Sequence, residues 1–368
     1  MEQQKYPKGS KLFNSNYIVD NYIGHGGMNS TVYTCHLNSE PHKLYVAKII
    51  TKPEDEDDSF WRKFADEEVT ALRITNKENL VETYETFSYK SPSEDVKVFI
   101  MEYLEGISLK AYLYQQGCIT PKVALTIFLK ICNGIKTLHN FKHQIIHRDL
   151  KPENIMLSYD LTKVTIMDFG ISTVIENANS KLPNNVKTDE SALWGTPRYI
   201  IPDALNKDRT VTVQYDFFSL GVILYEMVMG TTPFDDENLP NSTKKKIIGL
   251  AKQYDILNIS ANPSIPVALE NLIFRLIASK PEDIKYRYNS IDEIINDAKH
   301  VMSVLNKTDD DTPLLKPLND RIYRTGKKFL ISKYKNNIPV YKRLWFFALI
   351  TIVSLIILVV ALVLFFII

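Results

Sequence analysis

The chain has 368 residues, 45% of them hydrophobic and 24% charged, with a net charge of +1, which suits one large two-lobed domain with a tail or two ordinary domains and excludes disorder throughout. Cys35, Cys118 and Cys132 are widely separated and form no Cys-x-x-Cys pair, so neither a disulfide framework nor a zinc site is indicated and a reducing cytosol fits. Met1 opens a polar leader, residues 1–16, with no apolar core, which argues against a cleaved secretory signal; no low-complexity tract or fixed-period repeat is present.

Residues 17–50 read as three antiparallel strands: Tyr17 to Ile23, Thr31 to Tyr33 after a glycine-rich turn, and Lys43 to Ile50. The acidic run Glu54 to Asp58 leads into helical spacing from Phe60 to about Ile74. Leu80–Phe87 and Val96–Tyr103 read as two further strands around the turn at Ser91-Pro92-Ser93. From Ser108 onward the pattern turns helical, with helices over Lys122–Phe141, Val213–Met229 and Val267–Ser279; Pro121 is placed to start one and Gly230 to stop another. The break at Thr308 to Pro313 closes the folded domain near Leu305.

The most informative stretch is His147-Arg148-Asp149-Leu150-Lys151-Pro152-Glu153-Asn154, followed by Asp168-Phe169-Gly170. Two strand-and-turn segments would bring Asp149, Lys151, Asn154 and Asp168 together. That supplies one carboxylate to orient a hydroxyl, an amide and a second carboxylate to hold Mg²⁺, and an ammonium for a transferring phosphoryl group. With these two motifs the chain resembles the protein Ser/Thr kinases, over roughly residues 17–300, and looks most like their bacterial membrane-anchored branch.

The resemblance implies an α+β bilobal protein kinase fold: a small antiparallel-sheet lobe with one helix, residues 17–104, and a larger, mainly helical lobe, residues 105–305. It implies that Gly24-His25-Gly26-Gly27-Met28, entered from Ile23, covers the nucleotide phosphates; its second phosphate-facing glycine is Gly26 or Gly27. The gap from Gly24 to Val32 is one residue longer than the family pattern and Ser30 stands where a third glycine is usual, so a bulge is expected. Lys48 matches the lysine on the α- and β-phosphates, with Glu67 as its helix partner and Glu68 as the alternative. Met101-Glu102-Tyr103-Leu104 resembles the hinge whose backbone bonds adenine, between Val46 and Met156. Asp149 and Lys151 would be the catalytic residues, and Asn154 and Asp168 the metal ligands, for ATP with Mg²⁺ or Mn²⁺. His147 reads as structural rather than as a base.

Lys151 together with Gly195-Thr196-Pro197-Arg198-Tyr199 resembles the Ser/Thr branch, in which Thr196 would contact Asp149 and Lys151. Asp203 stands where the family has Glu, so its ion pair with Arg287 is expected to be strained or water-bridged, and Asp216 matches the aspartate that braces the catalytic loop. Thr188, with Ser191, is the expected autophosphorylation site, read out through Arg148 and made within a homodimer.

Residues 321–343 carry eight Lys or Arg and no acidic residue, so the rest of the chain is acidic. Residues 344–368 are 25 uncharged, mostly apolar residues, long enough as a helix to cross a bilayer. A basic linker over 306–343 beside a C-terminal transmembrane helix implies anionic lipid, not nucleic acid, as the partner of the neck, and a cytoplasmic catalytic domain on a single-pass membrane anchor. The chain stops inside the apolar run, so if it is complete no external sensing domain follows the span. Protein substrates are the expected partners besides ATP. A kinase-like membrane scaffold without catalysis is the competing reading; a small-molecule kinase of the same fold is opposed by the Gly195 to Tyr199 segment.

Overall fold

Alternating apolar residues, rich in Val, Ile, Tyr and Thr, build the first part of the chain into a five-stranded antiparallel sheet. Its strands are β1 (Tyr17–Gly26), β2 (Ser30–Leu37), β3 (Glu40–Thr51), β4 (Thr83–Ser91) and β5 (Glu94–Glu102), ordered β1-β2-β3-β5-β4. The computed structural model describes residues 6–26, 30–52, 77–92, 94–141, 144–168, 173–175, 196–206, 211–233, 265–279, 281 and 283–306.

The two faces of the sheet differ. Tyr33, Cys35, Ala47, Ile49, Val96, Val98 and Ile100 are buried on one face, in a core that also takes in Leu12. Residues before β1 fold back to cover that face: Gly9 and Val19 exchange a hydrogen bond through Gly9 N–H, and Val19 N–H donates to Ser10. The other face carries Val46 and Lys48 on β3, paired with Met101 and Phe99 on β5. Register shifts at Val19/Asn21 and Tyr22/Gly24 insert extra residues into β1 ahead of the glycines and leave Ile23 55% exposed, whereas the bulge expected between Gly24 and Val32 falls on residues 27–29, outside the described residues.

Leu80 and Val81, expected to open a strand, do not belong to one. Ile166 N–H donates to Asn79 and Val81 N–H donates to Ile166, so the backbone here is spent on the large lobe and β4 begins at Thr83. β5 ends at Glu102, one residue short of the reading.

The hinge passes through Gly106, whose φ is +146° and where a Cβ would sit 1.9 Å from the Leu157 carbonyl oxygen. There follow β6 (Ile107–Ser108), α1 (Leu109–Gln116, capped by Ser108 accepting from Ala111 N–H) and α2 (Pro121–His139). α2 ends two residues earlier than expected. Three short strands, β7 (Gln144–Ile146), β8 (Ile155–Leu157) and β9 (Val164–Ile166), frame the catalytic stretch, and β10 (Thr173–Ile175) pairs with β7. α3 (Gln214–Met229) is buried on nearly every turn and ends at Gly230 in the left-handed conformation.

α4 (Val267–Ile277) and α5 (Ile291–Leu305) complete the large lobe, and Ser290 caps α5 by accepting from Glu293 N–H. α4 stops two residues before the expected Ser279. Gly221 lets α3 and α4 pack closely, since a Cβ there would lie 2.5 Å from Leu276 and Ile277 side chains. Among the described residues no helix is long and apolar enough to cross a membrane. The expected anchor at 344–368, the basic neck, and Thr188 and Ser191 lie outside the described residues.

Candidate active site

Between β7 and β8 the chain makes a tight turn whose backbone is set by one buried carboxylate. Asp216, at the start of α3 and 0% exposed, accepts from His147 N–H at 3.0 Å, Arg148 N–H at 2.9 Å and His139 Nε2 at 2.8 Å. Arg148 is thereby held at φ +67°. Burial alone would raise the Asp216 pKa; the His139 hydrogen bond and the Arg148 N–H outweigh it and hold the carboxyl below its usual range.

His147 is fully buried. Asp149 N–H donates to its Nδ1 at 3.4 Å, so the ring proton sits on Nε2, which donates to the Met167 carbonyl at 3.2 Å. It ties the turn to the strand leading into Asp168, and this is a structural use.

Asp149 is the hub. Its Oδ2 accepts from Lys151 Nζ at 2.7 Å and from Asn154 Nδ2 at 3.2 Å, and its Oδ1 accepts from Thr196 N–H at 3.1 Å and Thr196 Oγ1 at 3.2 Å. Lys151 Nζ also donates to Thr196 Oγ1 at 3.0 Å, so Thr196 meets both Asp149 and Lys151. Asn154 Nδ2 donates to the Asp149 carbonyl at 2.8 Å, which directs its amide oxygen away from Asp149. Lys48 bonds the Asp168 carboxylate, linking the sheet face of the small lobe to the second motif. Met167 N–H donates to the Asn154 carbonyl at 2.8 Å, so Asp168 and its partner Lys48 lie next to the turn that holds Asp149, Lys151 and Asn154.

The Asn154 amide oxygen and the Asp168 carboxylate are hard-oxygen donors of the kind Mg²⁺ takes, so these two residues could hold it. Among the described residues no group of three His, Cys, Asp or Glu could hold a metal alone.

Val46 and Met101 are cross-strand neighbours, and Val32 pairs with Lys48. Glu102 N–H donates to the Glu82 carbonyl at 3.0 Å, so any contact from Glu102 to a base falls to its carbonyl, beside the Leu104 amide. A cavity of about 590 Å³ opens at the hinge, lined by Glu102, Leu104 and Met156 with Lys43, Asp160 and Lys163 among others. Lys48, Asp149 and Asp168 do not line it, so it is a hinge feature rather than the reaction site. Gly24, His25 and Gly26 end β1, and Val32 follows on β2. Gly27, Met28, Glu67 and Glu68 lie outside the described residues.

Arg287 Nη1 bonds Asp203 Oδ2 directly, and Arg287 Nε donates to the Ala278 carbonyl at 2.6 Å. Of the two expected forms of this pair, the direct contact overturns the water-bridged one: the guanidinium reaches the shorter carboxylate. Sequence reasoning missed His139, Glu226 and Lys110, and the bond from Tyr199 to Glu226, all of which arise from contacts between distant segments. His139, five residues before Gln144-Ile145-Ile146, carried the only local hint.

A profile of the protein kinase domain matches residues 17–297. The chain is 33% identical over 361 residues to a putative serine/threonine-protein kinase of Mycoplasma pneumoniae, covering 90% of each protein. It is 32% identical over 381 residues to a protein of the same description in Mycoplasma genitalium, covering 96% of each. It is also 29% identical to the serine/threonine-protein kinase PrkC of Bacillus subtilis, over 78% of this chain and 41% of that protein.

Proposed function

Because the chain belongs to the protein kinase domain family and its relatives are named serine/threonine-protein kinases, we propose that this Ser/Thr kinase transfers the γ-phosphoryl group of Mg·ATP to protein hydroxyls while anchored at a membrane. The observation that carries the reading is the junction of Asp149, Lys151, Asn154 and Thr196, joined through the Met167–Asn154 backbone bond to the strand that leads into the Lys48–Asp168 pair.

In this reading Ile23, Val32, Val46, Met101, Glu102, Leu104 and Met156 surround the base, and Gly24 to Met28 cover the phosphates. Lys48, partnered by Glu67, takes the α- and β-phosphates. Asn154 and Asp168 would hold Mg²⁺, which supplies charge neutralisation between the β- and γ-phosphates. Asp149 orients the incoming hydroxyl and accepts its proton; the Thr196 N–H fixes its carboxylate plane while Lys151 faces the transferring group. Phosphorylation of Thr188 or Ser191 between two copies would add charge for Arg148, ordering the segment that ends at Thr196.

Residues 344–368 would anchor the chain, and the eight basic residues of 321–343 would add roughly 1 kcal/mol each of attraction to anionic lipid when close to the surface. The test is to incubate the full chain with labelled ATP and Mg²⁺ or Mn²⁺, map the phosphosites, and fractionate cells expressing it. Label on Ser or Thr, with protein in the membrane fraction that 344–368 deletion releases, supports the reading. Unlabelled protein from a folded preparation would leave a binding scaffold, and a soluble full chain would remove the anchor.

A further inference from the structure

Beneath the Thr196 turn lies a charged contact that the phosphoryl-transfer residues do not use. Glu226 on α3 has a side chain only 6% exposed. Its Oε2 accepts from Tyr199 OH at 2.5 Å and its Oε1 accepts from Lys110 Nζ at 3.0 Å, so both oxygens are engaged. Tyr199 closes the turn Pro197–Tyr199 that begins at Thr196, itself bonded to Asp149. α1, which carries Lys110, packs against the turn Pro152–Asn154. The contact therefore borders the ground that residues flanking a phosphoacceptor must cross, because an extended peptide advances only about 3.3–3.6 Å per residue.

The pairing is unequal. Glu226 is buried and its charge is consumed internally, while Lys110 has a side chain 47% exposed and spends one of three N–H donors on it. The ammonium thus closes the carboxylate from above and keeps donors for solvent. Two other charges act on the Tyr199 hydroxyl, Glu153 and Arg198, both exposed. Glu153 opposes an acidic peptide residue here, and Arg198 and Lys110 favour one.

We propose that Lys110 is a specificity-determining residue: it screens Glu226 from basic substrate side chains and favours protein substrates carrying an acidic residue within a few positions of the phosphorylated Ser or Thr. The proposal rests on the phosphoryl-transfer reading above and goes beyond it by naming the substrate class. Tyr199 and Glu226 act as the base that holds Lys110 in place.

The experiment compares kcat/KM of the full chain on two synthetic peptides identical except for two Glu or two Arg flanking the Ser. The wild type is expected to favour the Glu peptide by about 5-fold, the scale of a solvent-screened ion pair at a partly exposed site. Lys110→Met should reverse or abolish that ratio by uncovering Glu226. Since a bare buried carboxylate can itself unfold the lobe, Lys110→Met/Glu226→Gln is the second variant: it should lose the Glu preference without gaining an Arg preference. A ratio unchanged within 2-fold in either folded variant overturns the proposal, as does a wild type indifferent to the flanking charge. Transfer to neither peptide, with no self-labelling, would sink the phosphoryl-transfer reading and this one with it, which separates the two failures.

Discussion

Around Asp149 the chain is held by directional bonds, whereas the outer face of the small-lobe sheet is held by shape. In the first region a buried carboxylate, two backbone N–H groups, a histidine and the Asp149–Thr196–Lys151 contacts define positions to within a hydrogen bond. In the second, Tyr6 meets Phe13 and Tyr33 edge-on at 5.1 and 5.6 Å, Phe13 stacks on Tyr89 at 4.7 Å, and Leu12 is wholly buried, with the Tyr6–Glu94 hydrogen bond as a polar tether. Polar frames fix atoms, and apolar faces fix volumes. Damage to the first should therefore appear in the chemical step, with or without a loss of stability, and damage to the second in stability alone.

The largest effect should come from Asp216→Ala, which strips partners from two buried N–H groups and His139. A loss of about 4 kcal/mol is expected, together with at least about 10²-fold in kcat, measured by chemical denaturation and steady-state kinetics. A variant that loses stability alone would break the claim that this carboxylate positions the turn. Next, Asp149→Asn and Lys48→Met should each reduce kcat by at least about 10²-fold while the denaturation midpoint moves little. Normal turnover in either would remove that residue from the chemistry.

On the apolar side, Leu12→Ala should cost about 3 kcal/mol in unfolding free energy and change kcat by less than about 3-fold. A kcat loss as large as that of Asp149→Asn would mean that the outer face controls the reaction directly. The smallest effect is a pH dependence in the large lobe. Burial pushes the Glu270 carboxyl from 4.5 up to about 7. Its folded pKa lies above the unfolded one, so its contribution is full below about pH 4.5 and is lost as pH rises through about 7. Glu270→Gln should accordingly stabilise the protein by about 2 kcal/mol at pH 8, with the gain fading toward pH 5 in thermal melts. A gain independent of pH would point to packing instead.

The same contrast explains what the sequence made legible. The catalytic turn was readable because its chemistry is contiguous: His147 to Asn154 lie within eight residues, and Asp149, Lys151 and Asn154 bond one another there. The alternation along β3 and β5 also placed Lys48 and Met101 on one face. The cover formed by residues 6–16 was not readable, because Tyr6, Leu12 and Phe13 show no period and acquire meaning only when a sheet face needs closing. Leu80-Val81 read as strand by composition, yet the backbone is claimed by Ile166. Lys110, Glu226 and Tyr199 are remote in sequence, and no local pattern announces that they meet.

The most direct test is the single-turnover rate of phosphoryl transfer with saturating Mg·ATP and protein substrate, in wild type, Asp149→Asn and Leu12→Ala side by side. The account predicts at least about 10²-fold slower transfer in Asp149→Asn and a rate within about 3-fold of wild type in Leu12→Ala, although Leu12→Ala is the less stable protein. Equal rates in wild type and Asp149→Asn, or a collapse confined to Leu12→Ala, would contradict it.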